Sequence, residues 1–148
     1  MQSPIGKSNP LAKPTLDTPF HIDYSWFERT EDVDLRREIL SQLGPEQRER
    51  LSQSEDQGQL LDYVDLNTGE VTRVDELGLE IQVAAQDPNF INPQTPVIDS
   101  IFRIFLANSN QPLTPNEIAE RLSRPAKTIL GAISGRQIYK GIRPASSS

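Results

Sequence analysis

Residues 114–133, Thr-Pro-Asn-Glu-Ile-Ala-Glu-Arg-Leu-Ser-Arg-Pro-Ala-Lys-Thr-Ile-Leu-Gly-Ala-Ile, spell two short helices joined by a tight turn. The Thr114 hydroxyl is suited to cap free backbone N–H groups. Pro115 fits the first helical position, where no N–H is needed, and Glu117 stands where a capping box places an acid that reaches back to the cap. Ile118 and Leu122 fall one turn apart with the small Ala119 beside them. After Ser123-Arg124, Pro125 opens the next helix, in which Ile129 and Ile133 repeat that spacing next to Leu130. The two apolar stripes are expected to share one small core.

A third helix is predicted over residues 97–107, opened by Thr95-Pro96, with Ile98, Ile101, Phe102, Phe105 and Leu106 on its buried side. Gln111-Pro112-Leu113 reads as a short strand before the second helix of this group. Residues 138–143, Ile-Tyr-Lys-Gly-Ile-Arg, read as an extended segment after the third, and the two are expected to pair as a small sheet.

Upstream, the first 19 residues hold four prolines and few large apolar groups, which predicts a flexible arm. Residues 20–27 gather two of the five phenylalanines, the one Trp and the one His, which suggests a core strand or a docking segment. An amphipathic helix is predicted over 31–43, capped by Thr30, with Glu31, Asp32 and Asp34 in its first turn and Val33, Leu35, Ile39, Leu40 and Leu43 as its stripe. Gly44-Pro45 ends it, and a shorter polar helix follows from Pro45, then a solvent loop over 52–58. Residues 60–66 and 71–74 flank Asn67-Thr-Gly-Glu70 as a β-hairpin, and 75–86 returns to helical spacing despite Gly78. The expectation is an α+β chain, mostly helical: an arm (1–19), an acidic α+β region (20–86), a Pro- and Asn-rich linker (87–95), a basic three-helix module (96–144) and a tail (145–148).

Charge divides the chain more sharply than its total of −6 suggests. Residues 1–96 carry 18 acids and 8 bases, whereas 97–148 carry 3 acids and 7 bases, and no acid follows Glu120. Such a distribution suits a module that meets phosphates or an acidic protein surface, although solvated basic ends also arise without such a partner. The absence of cysteine excludes disulfides, a thiolate nucleophile and cysteine-bound zinc. No apolar run approaches the ~20 residues that span a bilayer, and the first residues lack a secretory apolar region, so a cytoplasmic protein with no membrane role is expected.

Helix, short strand, helix, turn, helix and terminal strand over residues 96–144 resemble a winged-helix domain. Glu117-Ile-Ala-Glu-Arg-Leu122 followed by Thr128-Ile129 resembles the helix-turn-helix of many bacterial regulators. Gly135-Arg-Gln-Ile-Tyr-Lys-Gly-Ile142 gives a fainter likeness to the HARE-type winged helix of the RNA polymerase delta subunit. Ser123 stands where the family usually has Gly, a replacement compatible with the turn only if its backbone avoids positive φ, and the residues after the third helix leave room for a minimal wing.

The resemblance implies a noncatalytic, transcription-related factor whose third helix faces duplex DNA. The surface read from the sequence comprises Arg124, Lys127, Thr128, Ser134, Arg136, Gln137, Lys140 and Arg143, in which the helix itself presents one long cation and small residues, a set suited to phosphate contacts more than to base reading. The alternative is a protein-interaction module docking on a larger assembly of the transcription machinery, such as RNA polymerase. Catalysis is the weakest reading. His21-x-Asp23 is its only candidate pair, and no metal-ligand cluster, phosphate loop or cofactor motif is present in the sequence, so neither cofactor nor metal is expected.

Overall fold

The computed structural model describes residues 13–53, 61–64, 71–74 and 76–145. Along them run β1 (Phe20–Ile22), α1 (Tyr24–Arg29), α2 (Leu35–Ser41), α3 (Pro45–Gln53), β2 (Leu61–Val64), β3 (Val71–Val74), α4 (Glu76–Ala85), α5 (Val97–Ala107), α6 (Pro115–Leu122), α7 (Ala126–Ile133) and β4 (Ile142–Pro144). The architecture is α+β and mostly helical. It holds seven helices among the described residues, an antiparallel hairpin of β2 and β3 in the register Leu61↔Val74, and a second antiparallel pair of β1 and β4.

α5 forms the centre because its sequence is apolar on nearly every side: Ser100, Ile101, Phe102, Ile104, Phe105 and Leu106 are all buried. The same buried cluster takes in Ile118 and Ile129 from α6 and α7, Phe20 and Ile22 from β1, and Ile39, Leu43, Leu51 and Ile81 from the acidic half. Phe90, in the segment predicted as a linker, is buried there too, with its carbonyl accepting from Arg103 Nη1 at 2.6 Å. A polar bridge reinforces the join: buried Gln42 donates to Asp99 and accepts from Arg103 Nε. α3 and α4 are tied by a two-pronged Arg50–Glu80 pair.

Helix limits follow local chemistry. Thr114 accepts from the Glu117 N–H while the Glu117 carboxylate accepts from the Thr114 N–H, closing the predicted capping box. The predicted start at Thr30 is corrected: Thr30 ends α1, Asp32 takes a positive φ of 66°, and α2 begins at Leu35 with the Asp34 carboxylate accepting from the Arg37 N–H. Two caps four residues apart compete, and the left-handed Asp32 hands the start to the later one.

The sheet beside α5 also departs from expectation. Leu113 does not pair with the 138–143 segment, because β1 lies between them. Phe20 exchanges both backbone hydrogen bonds with Leu113 (2.8 and 3.0 Å), while its other edge pairs with β4 in the register Phe20↔Pro144, His21↔Arg143 and Ile22↔Ile142. Asn110, itself left-handed, extends the Leu113 side with its side chain: its Oδ1 accepts from the Ile22 N–H at 2.8 Å and its Nδ2 donates to the Ile22 carbonyl at 2.9 Å, as a strand backbone would. The aromatic segment 20–27 is thus half strand and half helix. Its alternation of buried Phe20, half-buried His21 and buried Ile22 is that of a core strand.

The tail end of the predicted arm is also held, since the turn at 15–18 accepts from the Asn116 N–H through the Leu16 carbonyl and from Asn116 Nδ2 through Asp17. The remainder of the arm, most of the 52–58 loop and the hairpin turn lie outside the described residues.

Candidate functional site

The turn between α6 and α7 is built by Ser123 at φ 54°, ψ 45°, a left-handed conformation and not the extended one that a serine prefers. The N–H groups of Ser123 and Arg124 both donate to the Ala119 carbonyl, so the last turn of α6 is closed by the residue that strains. This costs ~1 kcal/mol relative to glycine and aims α7 as a glycine would.

α7 buries Ile129 and Ile133 and exposes Lys127, Thr128, Gly131 and Ser134, with Arg136 and Gln137 exposed just beyond. A methyl group added at Gly131 or Gly135 would meet nothing within 4 Å, so the surface between Lys127 and Arg136 is shallow and open. Among the described residues no acid pairs with Lys127 or Arg136. The face offers two cations and the hydroxyls of Thr128 and Ser134, a donor set for phosphate oxygens.

The other predicted cations are engaged within the molecule. Arg124 Nη2 donates to the carbonyls of Pro93 (3.1 Å) and Thr95 (3.4 Å). Lys140 Nζ sits between Glu38 (2.7 Å) and Asp99 (3.4 Å) and is three-quarters shielded. Arg143 Nη1 donates to Asp23 at 3.0 Å. Hence the structure leaves Lys127, Thr128, Ser134, Arg136 and Gln137 exposed along α7 and just past it, and binds Arg124, Lys140 and Arg143 back onto the protein. Nothing local in the sequence marks these pairings, since Glu38 and Lys140 are 102 residues apart.

Asp23 is accounted for in the same way. Its Oδ1 accepts from the Ser25 hydroxyl (2.6 Å) and N–H (3.0 Å), and its Oδ2 from Arg29 (3.2 Å) and Arg143 (3.0 Å). The carboxylate is a helix cap and clamp, with its acceptor sites taken up by these partners. Its pKa is lowered below the ordinary value, first by the Ser25 hydroxyl, then against partial burial by the Ser25 N–H, Arg29 and Arg143. The folded state therefore binds this proton less readily than the unfolded chain. Its stabilising contribution is present above the unfolded carboxyl range and is lost as pH falls through the depressed folded value. Asp23→Asn, which keeps a capping oxygen, is expected to cost on the order of 1 kcal/mol at neutral pH, with the gap from the parent closing in acid; urea unfolding at neutral and acid pH measures both, and a gap that persists in acid refutes the assignment.

Among the described residues no group of three or more His, Asp or Glu side chains could hold a metal ion, and no helix is long and apolar enough to cross a membrane. Comparison of the chain with protein-family models, with curated proteins and with solved structures found no match in any of the three.

Proposed function

We propose that residues 96–144 act as a winged-helix-type module and that the chain is a noncatalytic, transcription-associated factor whose α7 face contacts duplex DNA through its phosphates. The observation that carries this reading is the open α7 face: Lys127, Thr128, Ser134, Arg136 and Gln137 exposed together on a stretch without a single acid, presented by a helix-turn-helix with a left-handed turn. The order α5, Leu113 bridge, α6, α7 and β4 supports it. Small residues on α7 permit close backbone approach, and the shortage of long polar side chains argues for backbone contact with little sequence preference.

Fluorescence anisotropy of the full chain with random duplex DNA across a salt series tests the proposal. With phosphates neutralised by Lys127 and Arg136, log affinity is expected to fall against log salt with a slope of about −2, and alanine at either position to remove about one unit of that slope whatever the sequence. Lys140→Ala is expected to change the slope far less, its charge being already matched by Glu38 and Asp99. Absence of binding at low salt, or a slope indifferent to Lys127 and Arg136, would overturn DNA contact. It would favour instead docking on a protein assembly, a reading that draws on the net charge of −6 and the exposed Tyr139 beside the same face.

A further inference from the structure

Beside the turn, and apart from the α7 face, a cleft of about 550 Å³ opens between the 91–93 segment, α5 and the end of α6. Two arginines line it, Arg121 and Arg124, together with Asn92, and the apolar part of its wall comes from Ile91 and Leu122. Among the described residues no carboxylate lines it. Arg124 uses Nη2 alone to hold the Pro93 and Thr95 carbonyls, which fixes the guanidinium while its Nε and Nη1 donors have no acceptor among the described residues. Arg121 has neither an ion pair nor a hydrogen bond from its side chain among the described residues. A guanidinium already oriented by the backbone, a second one free to close, an amide and an adjacent apolar wall form a concave donor site.

We infer that this cleft binds a small organic anion, a phosphate monoester whose head group is held by Arg121 and Arg124 and whose apolar body lies against Ile91 and Leu122. The chemistry fits each part: the unengaged fork of Arg121 matches two phosphate oxygens at once, Arg124 adds a single donor from Nε or Nη1, and the apolar part of the wall rewards a ligand that is more than a bare ion. Ser123 also lines the cleft, so an occupant would lie against the strained residue that sets the direction of α7. The site does not depend on the DNA reading, because Arg121 is outside the α7 face and Lys127 and Arg136 are outside the cleft.

The test is amide and arginine-side-chain NMR of the full chain titrated with inorganic phosphate, with phenyl phosphate and, at matched ionic strength, with sodium chloride. Saturable shifts at Asn92, Ser123 and the Arg121 Nε–H are expected with both phosphates, tighter for phenyl phosphate. Arg121→Gln is expected to weaken binding roughly tenfold, the loss of one charge-assisted donor group. Lys127→Ala is expected to leave phosphate binding unchanged while reducing DNA affinity, and Arg121→Gln to leave the salt slope of DNA binding unchanged. Shifts that never saturate, that chloride reproduces, or that survive Arg121→Gln would overturn the site. Loss of DNA binding alone would leave it standing.

Discussion

The Gly141→Ala variant is expected to lose about 3 kcal/mol of stability, from two costs that add. Gly141 sits at φ +73°, where a side chain is disfavoured, and it follows Lys140, which is itself left-handed at 53°. A Cβ there would lie 2.9 Å from Phe27 Cε2, 3.2 Å from the Asp23 carbonyl oxygen and 3.3 Å from Trp26 Cε3. None of these neighbours yields easily. Phe27 is buried and meets Trp26 edge to face at 4.9 Å, and the Asp23 backbone is held because its N–H donates to the Gly141 carbonyl at 2.8 Å. Relief would come only by moving the segment that carries Lys140 away from Glu38 and Asp99. The controls have the opposite character: Gly135→Ala places its methyl in open space, and Gly131→Ala does so inside α7, where it should gain up to ~1 kcal/mol of helix propensity. Urea midpoints of the three variants should therefore separate widely, and a Gly141→Ala protein as stable as its parent would show that the close approach is not required.

How much was legible in the sequence depended on how local the determinant was. α5, α6 and α7 have the limits expected of them, because Thr95-Pro96, Thr114-Pro115 and Pro125 mark their starts and each apolar stripe lies within its own helix. The hairpin strands and α4 were equally visible, being bounded by turn residues close in sequence. What was not legible lay in long-range pairing. Residues 111–113 and 138–143 each had the look of a strand, and nothing in either says that a third segment, Phe20–Ile22 from far upstream, enters between them. The candidate surface shows the same division. Lys127 on α7 and Arg136 just past it are open, whereas Lys140 and Arg143 are closed off by Glu38, Asp99 and Asp23, of which the sequence singled out only Asp23, and that as the partner of His21. The acidic half thus neutralises part of the basic module by direct contact. Ser123 overturns the condition set on it: the turn forms with the serine at positive φ, the conformation it was expected to avoid, held there by two N–H groups converging on Ala119.

Phe20→Ala is expected to be the most damaging single truncation, at about 3–5 kcal/mol. Phe20 is fully buried, belongs to the same core cluster as α5, α6 and α7, and bonds Leu113 through both its N–H and its C=O, while the Pro19 carbonyl and the Asp23 N–H on either side of β1 bond the chain around β4. Removing its ring leaves a cavity at the point where three chain segments meet, and the surrounding strands are too short to collapse into it, since β1 and β4 pair over only three residues. The damage should also be distributed unlike that of a core truncation elsewhere. Because β1 supplies the middle of the sheet, loosening it frees Leu113, which precedes the Thr114 cap of α6, and frees β4, which carries Arg143. Amide exchange should therefore accelerate in Phe20→Ala at Leu113, at Ala145, whose N–H donates to the Pro19 carbonyl, and in the first turn of α6 before it does so at Ile101 and Phe105 in the middle of α5. A variant that loses stability evenly, with the Leu113 and Ala145 amides no more exposed than those of α5, would mean that the N-terminal strand rests against the helices without organising them.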